Sequence, residues 1–143
     1  MRQKIFNHSF RMESRMNKRL IIPSDGPVPV GPYSPGVAAR GFLFVSGQIP
    51  LDPKTNRLVT ESFEAQVRQS LDNLKSVVAA AGSTLDDVVK VTIFLRDLAR
   101  FDELNTIYSE YFSASKPARA TVQAARLPKD VEVEIEAIAL TPE

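Results

Sequence analysis

The sequence contains no cysteine, and its one histidine, His8, lies close to the N-terminus. Without cysteine there is no disulfide, no thiolate nucleophile and no metal site with sulfur ligands. A single remote histidine also excludes the Ser-His-Asp and Cys-His triads, the zinc deaminase pattern and the usual histidine metal sites. Any chemistry must therefore use arginine, lysine, carboxylates, tyrosine, hydroxyls, backbone groups and water.

Long apolar runs and a strong charge of either sign are missing as well. No apolar stretch approaches the length of a membrane-spanning helix, and the formal net charge is only +1. We therefore predict neither a membrane protein nor a nucleic-acid-binding protein. The 143 residues suit one domain with its own core, and 43% hydrophobic and 24% charged residues are ordinary for a soluble globular protein.

Residues 1–19 form a basic segment that we place outside the fold. The segment holds six lysines and arginines against one acid, Glu13, and it lacks the apolar core of a secretory signal. We interpret it as a flexible N-terminal extension or the result of an upstream start codon, with an organelle-targeting segment as the alternative. The predicted domain spans residues 20–143, and we expect a cytoplasmic protein unless the extension directs it to an organelle.

Hydrophobic patterns along the rest of the chain predict an α+β domain with the element order ββαβαββ. Strands are predicted at 37–39, 41–47, 88–96, 119–126 and 131–140, which are rich in β-branched residues or alternate between apolar and polar ones. Helices are predicted at 62–81 and 100–112, where apolar residues recur at helical spacing. This order predicts a mixed sheet with both helices packed on one face.

The faces of two predicted strands favour self-association. The strand at 88–96 has one apolar face, made of Val89, Val91, Ile93 and Leu95, and one mixed face, made of Val88, Lys90, Thr92, Phe94 and Arg96. The strand at 131–140 changes along one face from Glu132, Glu134 and Glu136 to Ile138 and Leu140. Such mixed faces suit a subunit interface better than bulk water. We therefore predict a homo-oligomer.

Three segments carry a resemblance to a known family: GPYSPGV at 31–37, FVSGQIPLDPKT at 44–55 and KPARATVQAARLPKDVEVEIEAIAL at 116–140. Together with the stretch from Ser83 to Phe112 they resemble the reactive intermediate deaminase A (RidA-like) family, which is also called endoribonuclease L-PSP or translation inhibitor. The resemblance extends from about residue 18 to the end of the chain, and its last segment is the most specific.

The resemblance implies a chorismate-mutase-like ββαβαββ domain that assembles into a homotrimer, with three sites in clefts between subunits. The implied activity is that of a 2-iminobutanoate/2-iminopropanoate deaminase, which hydrolyses small enamino and imino acids such as 2-aminoacrylate to 2-keto acids and ammonia. The resemblance implies neither a cofactor nor a metal ion.

The same resemblance implies catalytic roles for Arg119 and Glu134. A guanidinium holds a planar carboxylate with two parallel hydrogen bonds, and a carboxylate beside an ordered water can move protons during hydrolysis. Without the resemblance, Arg119 would be a solvated arginine at a strand start, and the three glutamates of the last strand a solvated face. The apolar end of that face argues for partial enclosure, which would shift the pKa of Glu134.

Five further residues are candidates for substrate binding. Tyr33 resembles the family's substrate-covering tyrosine, and packing on the core is the alternative. Ser46 and Gly47 are predicted to offer main-chain donors. Thr121 stands where many relatives have cysteine and is expected to contribute backbone groups. Asn105, on the second helix, is a weaker candidate.

We expect the last two strands to pair as a hairpin around residues 127–130. Regular pairing would place Arg126 opposite Val131 and Arg119 opposite Ile138. Arg119 would then lie four residues from Glu134, or roughly 13 Å along the strand. The substrate and the long arginine side chain could bridge much of this distance. Otherwise a bulge or the neighbouring subunit must contribute.

Three functions are compatible with these residues. The first is the imine deaminase. The second is an endoribonuclease, which is less favoured because it normally needs groups that titrate near neutrality and a basic track for RNA, whereas this chain offers only His8 near its N-terminus and no basic patch. The third is a non-catalytic trimer that binds small carboxylates to regulate a partner or acts as a holdase, because the same arginine would serve binding alone.

Overall fold

Strand-forming and helix-forming segments alternate along the chain, and the computed structural model, which describes residues 17–142, arranges them in two layers. The main sheet consists of β1 (Arg19–Ile21), β2 (Gly36–Ala39), β3 (Phe42–Gln48), β6 (Val88–Leu95), β7 (Ala118–Gln123) and β8 (Val133–Leu140). A small separate hairpin contains β4 (Leu51–Asp52) and β5 (Arg57–Leu58), and the helices are α1 (Phe63–Ala80) and α2 (Phe101–Phe112). This confirms the predicted mixed sheet with two helices.

Helix α1 forms where the sequence combines an N-cap, an apolar stripe and a glycine stop. Ser62 accepts a hydrogen bond from the Ala65 N–H at 3.0 Å, which satisfies one of the donors left open at a helix start. Gly82, with φ of +82°, follows the helix end in a conformation that favours glycine. The apolar stripe of α1 is buried and consists of Phe63, Val67, Leu71, Leu74 and Val78.

The hydrophobic core lies between the two helices and one face of the sheet. Alternate residues of the central strands point into it because successive strand residues face opposite sides. Val91, Ile93 and Leu95 of β6 and Ile135 of β8 are fully buried there, together with Leu104 of α2. Burying a large apolar side chain stabilises the fold by roughly 1.5–3 kcal/mol. These buried side chains therefore hold the helices against the sheet.

The predicted hairpin between the last two strands is wrong. The strand order of the main sheet is β1-β2-β3-β8-β6-β7, so that β6 lies between β7 and β8, parallel to β7 and antiparallel to β8. The connecting segment passes around the end of β6, where the Ala124 N–H donates to the Leu95 carbonyl and the Arg96 N–H to the Glu132 carbonyl, each at 2.9 Å. Leu127 and Val131 anchor this segment by burial.

Two β-bulges change which residues face the core. Between Val88 and Lys90 the register of β6 against β8 shifts, so that Val88 is buried whereas Val89 is 39% exposed. The predicted faces of β6 are therefore wrong at these two positions and right from Lys90 onward. The second shift lies in β3, between Val45 and Gln48. A bulge adds a residue to one strand and redirects the side chains around it.

The sheet face away from the helices is not covered within the described part of the chain. It exposes large apolar side chains at the following positions: Phe42, Phe44, Val122 and Leu140. In residues 17–142 no helix has the length and apolar character needed to cross a membrane. The sheet begins at Arg19, one residue before the predicted domain boundary. Most of the predicted N-terminal extension, residues 1–16, lies outside the described residues.

Candidate functional site

Arg119 lies on β7, at the edge of the sheet, and faces the helix layer. Its partner in the parallel ladder is Val91, which is fully buried beneath the helices, and partners in register share a face. The Arg119 guanidinium lies 4.7 Å from the centre of the Tyr108 ring and 5.4 Å from that of Phe101. These distances are within the range of cation–π attraction.

The guanidinium of Arg119 has no anionic partner within residues 17–142. The ion pairs found there belong to other arginines: Arg68 pairs with Glu64 and Glu110, Arg100 with Glu103, and Arg126 with Asp130. No hydrogen bond from the Arg119 side chain to another described residue is present either. Its N–H groups are therefore available to bind a carboxylate from outside this part of the chain.

Asn105 and Thr121 lie near Arg119. On α2, Asn105 is four residues from Phe101 and three from Tyr108, the spacings that place helix residues on one face. Thr121 is two residues beyond Arg119 on β7 and so shares its face. The Thr121 hydroxyl is buried without a hydrogen-bond partner among the described residues. We call Arg119, Asn105, Thr121 and the two rings the arginine half-site.

Glu134 lies on the opposite face of the sheet. On β8 it pairs with Phe94 of β6 and alternates with the buried Val133 and Ile135. Partial burial raises the pKa of the Glu134 carboxyl above its ordinary value, and the negative charge of Glu136 raises it further. A carboxylate with a raised pKa is a stronger base, as proton abstraction from water requires.

Gly47 provides the space in which the Glu134 carboxylate lies. A methyl group placed on Gly47 would clash with that carboxylate, because its carboxyl carbon would be only 2.8 Å away. Gly47 belongs to the bulge of β3, where two residues, Ser46 and Gly47, occupy the length of one residue of β8. Bulges often redirect groups beside active sites.

Ser46 ties this bulge to the loop that carries Tyr33. The Ser46 hydroxyl donates to the Ser34 carbonyl at 2.6 Å, and the backbone N–H of Ser46 donates to the Pro35 carbonyl at 2.9 Å. The predicted Ser46 main-chain donor is therefore already used within the chain, and the role of Ser46 here is to hold the loop. The Ser46 carbonyl accepts a hydrogen bond from the Gln48 side chain at 3.0 Å.

Tyr33 is half exposed on the Pro-rich loop before β2. Tyr33, Gly47 and Gln48 line one shallow cleft. The Tyr33 hydroxyl accepts a hydrogen bond from the Val30 N–H at 3.4 Å, within the same loop. Tyr33 therefore does not pack into the core, which was the alternative. We call Glu134, Gly47, Ser46 and Tyr33 the acid half-site.

The two half-sites do not meet within one chain. Arg119 aligns through Val91 with Ala137, and Ala137 is three residues from Glu134 along β8. An odd separation places two strand residues on opposite faces. Two strand spacings and three residue steps put the two Cα atoms about 14 Å apart. The hairpin predicted earlier would have placed both side chains on one face, and the insertion of β6 is the reason that it does not.

Sequence reasoning identified Arg119, Asn105 and Thr121 of the arginine half-site but missed the contribution of its two aromatic rings. Phe101 and Tyr108 are among the apolar residues that recur at helical spacing in the predicted helix at 100–112, and the structure places the Arg119 guanidinium over both rings. The sequence does contain a signal for this arrangement, because Phe101, Asn105 and Tyr108 recur at helical spacing and so lie on one face of α2. Within residues 17–142 no group of three or more histidine, cysteine or acidic side chains could hold a metal ion.

Comparison with known proteins relates most of the described domain to one family. The sequence profile described as endoribonuclease L-PSP matches residues 24–141. A RutC family protein from Pyrococcus horikoshii is 51% identical over 85% of this chain and 97% of its own length. The 2-iminobutanoate/2-iminopropanoate deaminase of Salmonella typhimurium is 47% identical over 85% of this chain and 97% of its own length.

The fold has solved counterparts of the same size. The crystal structure of the E. coli protein TdcF with bound serine has a TM-score of 0.82 and 42% sequence identity. The match covers 87% of this chain and 99% of TdcF.

Proposed function

Because the chain belongs to the endoribonuclease L-PSP family, the RidA-like family of the resemblance, we propose that it is an imine deaminase. Its substrates would be small 2-imino acids and their enamine tautomers, such as 2-iminopropanoate formed from 2-aminoacrylate. The products would be a 2-keto acid and ammonia, so the enzyme would be a hydrolase that acts on a C–N bond. A relative at 47% identity bears the name of this activity.

The observation that carries the proposal is the Arg119 guanidinium, which is held on two aromatic rings and left without an anion. A surface arginine without a function usually extends into water, whereas this one is fixed by packing and keeps its hydrogen-bonding edge unused. A planar 2-imino acid offers the carboxylate that such an edge binds with two parallel hydrogen bonds. Binding in this way would fix the position of the imine carbon.

Glu134 would perform the proton transfers. Water adds to the imine carbon while Glu134 accepts a proton from it and passes that proton to the imine nitrogen, which gives a carbinolamine. Glu134 then accepts the proton of the carbinolamine hydroxyl and donates it to the amino nitrogen as the C–N bond breaks, so that ammonia leaves and the 2-keto acid remains. The raised pKa of the Glu134 carboxyl favours both acceptance and return of a proton. No step requires an oxidant, a metal or a cofactor.

We propose that each site forms between two copies of the chain in a homotrimer. Arg119 and Glu134 lie on opposite faces of one sheet, so a single chain supplies either group to a given cleft but not both. Exposed apolar side chains on the face of Glu134 support this assembly, with Phe44 48% and Leu140 47% accessible. A neighbouring subunit that covers this face would remove them from water and could bring its own Arg119 towards Glu134.

The proposal is tested by generating 2-aminoacrylate in place with a serine dehydratase and measuring the rate of pyruvate formation. The wild-type protein should exceed the uncatalysed rate. Arg119→Ala should lower kcat/KM about a hundredfold through loss of the carboxylate contact, and Glu134→Gln by a similar factor through loss of the base. Arg68→Ala, which removes an arginine on the outer helix surface, is the matched control and should retain activity.

Full activity in Arg119→Ala, or no acceleration by the wild type, would refute the deaminase. The second outcome would favour the alternative of a carboxylate-binding module, for which one observation speaks: TdcF was crystallised with bound serine, an amino acid that carries a carboxylate. Tight binding of a small carboxylate without turnover would then favour a carboxylate-binding module that regulates a partner.

An endoribonuclease is the activity that the family's description names. The sequence has one histidine, His8, outside the described residues, and the candidate base Glu134 lies beside a second acid, Glu136, that would repel phosphates. RNA cleavage by metal-free protein that is lost in Glu134→Gln would establish this activity instead.

A further inference from the structure

Two aromatic rings of α2 lie beneath the Arg119 guanidinium. Tyr108 is the nearer, at 4.7 Å from ring centre to guanidinium carbon, and Phe101 is at 5.4 Å. A guanidinium that lies over a ring face is attracted through its own flat face, so its N–H groups remain free in the plane. Two rings therefore hold the cation without using the donors that a carboxylate needs.

The Tyr108 ring is itself fixed. Its side chain is 9% exposed, and its ring centre lies 4.8 Å from that of Phe112, one helical turn further along α2. Phe112 is 2% exposed. A ring that packs against a buried neighbour on the same helix has little freedom to move. The surface on which Arg119 rests is therefore part of the core.

The Tyr108 hydroxyl does not act as a counter-ion to Arg119. Burial raises the pKa of Tyr108 to about 12, although the positive charge of Arg119 opposes this shift. The phenol is therefore neutral at physiological pH, and its hydroxyl has no hydrogen-bond partner among residues 17–142. The attraction to Arg119 comes from the ring and not from a phenolate, which leaves the charge of Arg119 available to a ligand.

Arg100 shows what a different arrangement looks like. Its guanidinium lies 4.8 Å from the centre of the Phe63 ring, but it also approaches Glu103 at 3.8 Å. That cation is already balanced by an acid in the first turn of α2, which begins directly after Arg100. Of these two stacked arginines, Arg119 is therefore the one whose charge remains unbalanced by the described part of the chain.

We propose that Tyr108, assisted by Phe101, is a positioning residue that holds the Arg119 guanidinium ready to bind a substrate carboxylate. This inference rests on the proposed function only in naming the substrate. Its own content is that the aromatic rings, and not the tyrosine hydroxyl, set the affinity of Arg119 for small 2-keto and 2-imino acids.

The test measures binding and turnover separately, with pyruvate as a stable carboxylate probe. Tyr108→Leu and Phe101→Leu should each weaken pyruvate binding, measured by calorimetry, about fivefold to tenfold. They should raise KM for 2-aminoacrylate by a similar factor while kcat changes less, because the base on the other half-site is untouched. Tyr108→Phe keeps the ring and should bind pyruvate as the wild type does.

Several outcomes would overturn the inference. Unchanged pyruvate affinity in both leucine variants, with Arg119→Ala abolishing binding, would show that the rings do not position Arg119. Loss of affinity in Tyr108→Phe would assign the effect to the hydroxyl. Thermal unfolding of each variant identifies any that fails to fold, and Phe101→Leu, at a less buried position, is the variant expected to keep the fold intact. Pyruvate binding that follows this pattern without turnover would refute the deaminase and keep the inference.

Discussion

The two halves of the candidate site are built from different materials on different faces of one sheet. Arg119 is held by side chains, because two rings of α2 lie over the end of an edge strand. Glu134 is held by backbone, because a bulge in β3 and the missing side chain of Gly47 leave room for its carboxylate. The arginine half-site therefore depends on core packing, whereas the acid half-site depends on local backbone shape.

This difference also bears on assembly. The arginine half-site lies beside the helix layer and is complete within one chain apart from its ligand. The acid half-site lies on a face that no described helix covers, next to exposed apolar side chains such as Phe44. The face that carries Glu134 therefore needs a partner subunit more than the helix-covered face that carries Arg119. This predicts that the two half-sites of a working site come from different copies of the chain.

The largest effect is expected when the Arg119→Ala and Glu134→Gln substitutions are placed on different subunits of one oligomer. Arg119→Ala and Glu134→Gln chains, each nearly inactive alone, would be co-expressed with different tags, and oligomers that carry both tags purified. In a ring of three subunits that holds both variants, one junction unites an intact Arg119 with an intact Glu134. The mixed trimer should regain about a third of wild-type deaminase activity.

Recovery of activity in the mixed species would be compared with trimers that contain one variant under both tags. Those trimers should keep only the low residual activity of the single variant, because each of their junctions lacks the same group. Equal inactivity of mixed and unmixed trimers would mean that Arg119 and Glu134 serve the same site from one chain. A dimeric or monomeric mass in solution would refute the trimer directly.

Sequence patterns were sufficient to predict most helices and strands, but not which strands are neighbours in the sheet. The stripe of α1 from Phe63 to Val78 and the β-branched run of β6 predict helix and strand because periodicity is a local property. Strand order is decided by long-range packing, so adjacency of β7 and β8 in the chain said nothing about β6 lying between them. Short strands such as β4 and β5 carry too few residues to show a period.

The same limit applies to the site. The segment around Arg119 and Glu134 marks both residues through its resemblance to a family, but their faces follow from register through a third strand. Because β6 lies between the two strands, Arg119 aligns with Ala137, which is an odd number of residues from Glu134. The two side chains therefore lie on opposite faces of the sheet. The bulge beside Val89 likewise reverses a face assignment that simple alternation had given. Such irregularities depend on partner strands and leave no clear local signal.

A smaller effect on deaminase activity is expected from Gly47→Ala, which changes the acid half-site alone. The added methyl group would occupy the place of the Glu134 carboxylate and displace it. We expect kcat/KM for 2-aminoacrylate to fall about tenfold, since a shift of about 1 Å in a reacting group can cost that much or more. Pyruvate binding at Arg119 should change far less, because its rings lie on the other face.

The Gly47→Ala prediction is checked by a double-mutant cycle with Glu134→Gln. If the methyl group acts by displacing the carboxylate, it should cause little further loss once the carboxylate is gone. Fully additive losses would mean that Gly47 acts through something other than Glu134, such as the loop that carries Tyr33. Thermal unfolding would separate either result from a general loss of stability.

The smallest effect concerns the electrostatics of the acid half-site. Burial raises the pKa of Glu134, and the neighbouring charge of Glu136 raises it further. The base is active when deprotonated, so kcat/KM should rise with pH through the raised pKa of Glu134. Glu136→Gln removes the second cause and should move this acid limb to lower pH by less than about one unit.

The matched control is Glu132→Gln, which makes the same change of charge just before β8 begins at Val133. An acid limb that stays in place in Glu136→Gln would contradict the contribution of Glu136 to the raised pKa of Glu134. A limb that moves equally in both variants would mean that the effect is not specific to Glu136. The limb should disappear in Glu134→Gln and persist in Arg119→Lys, because the first variant removes the base and the second only the paired geometry of the cation.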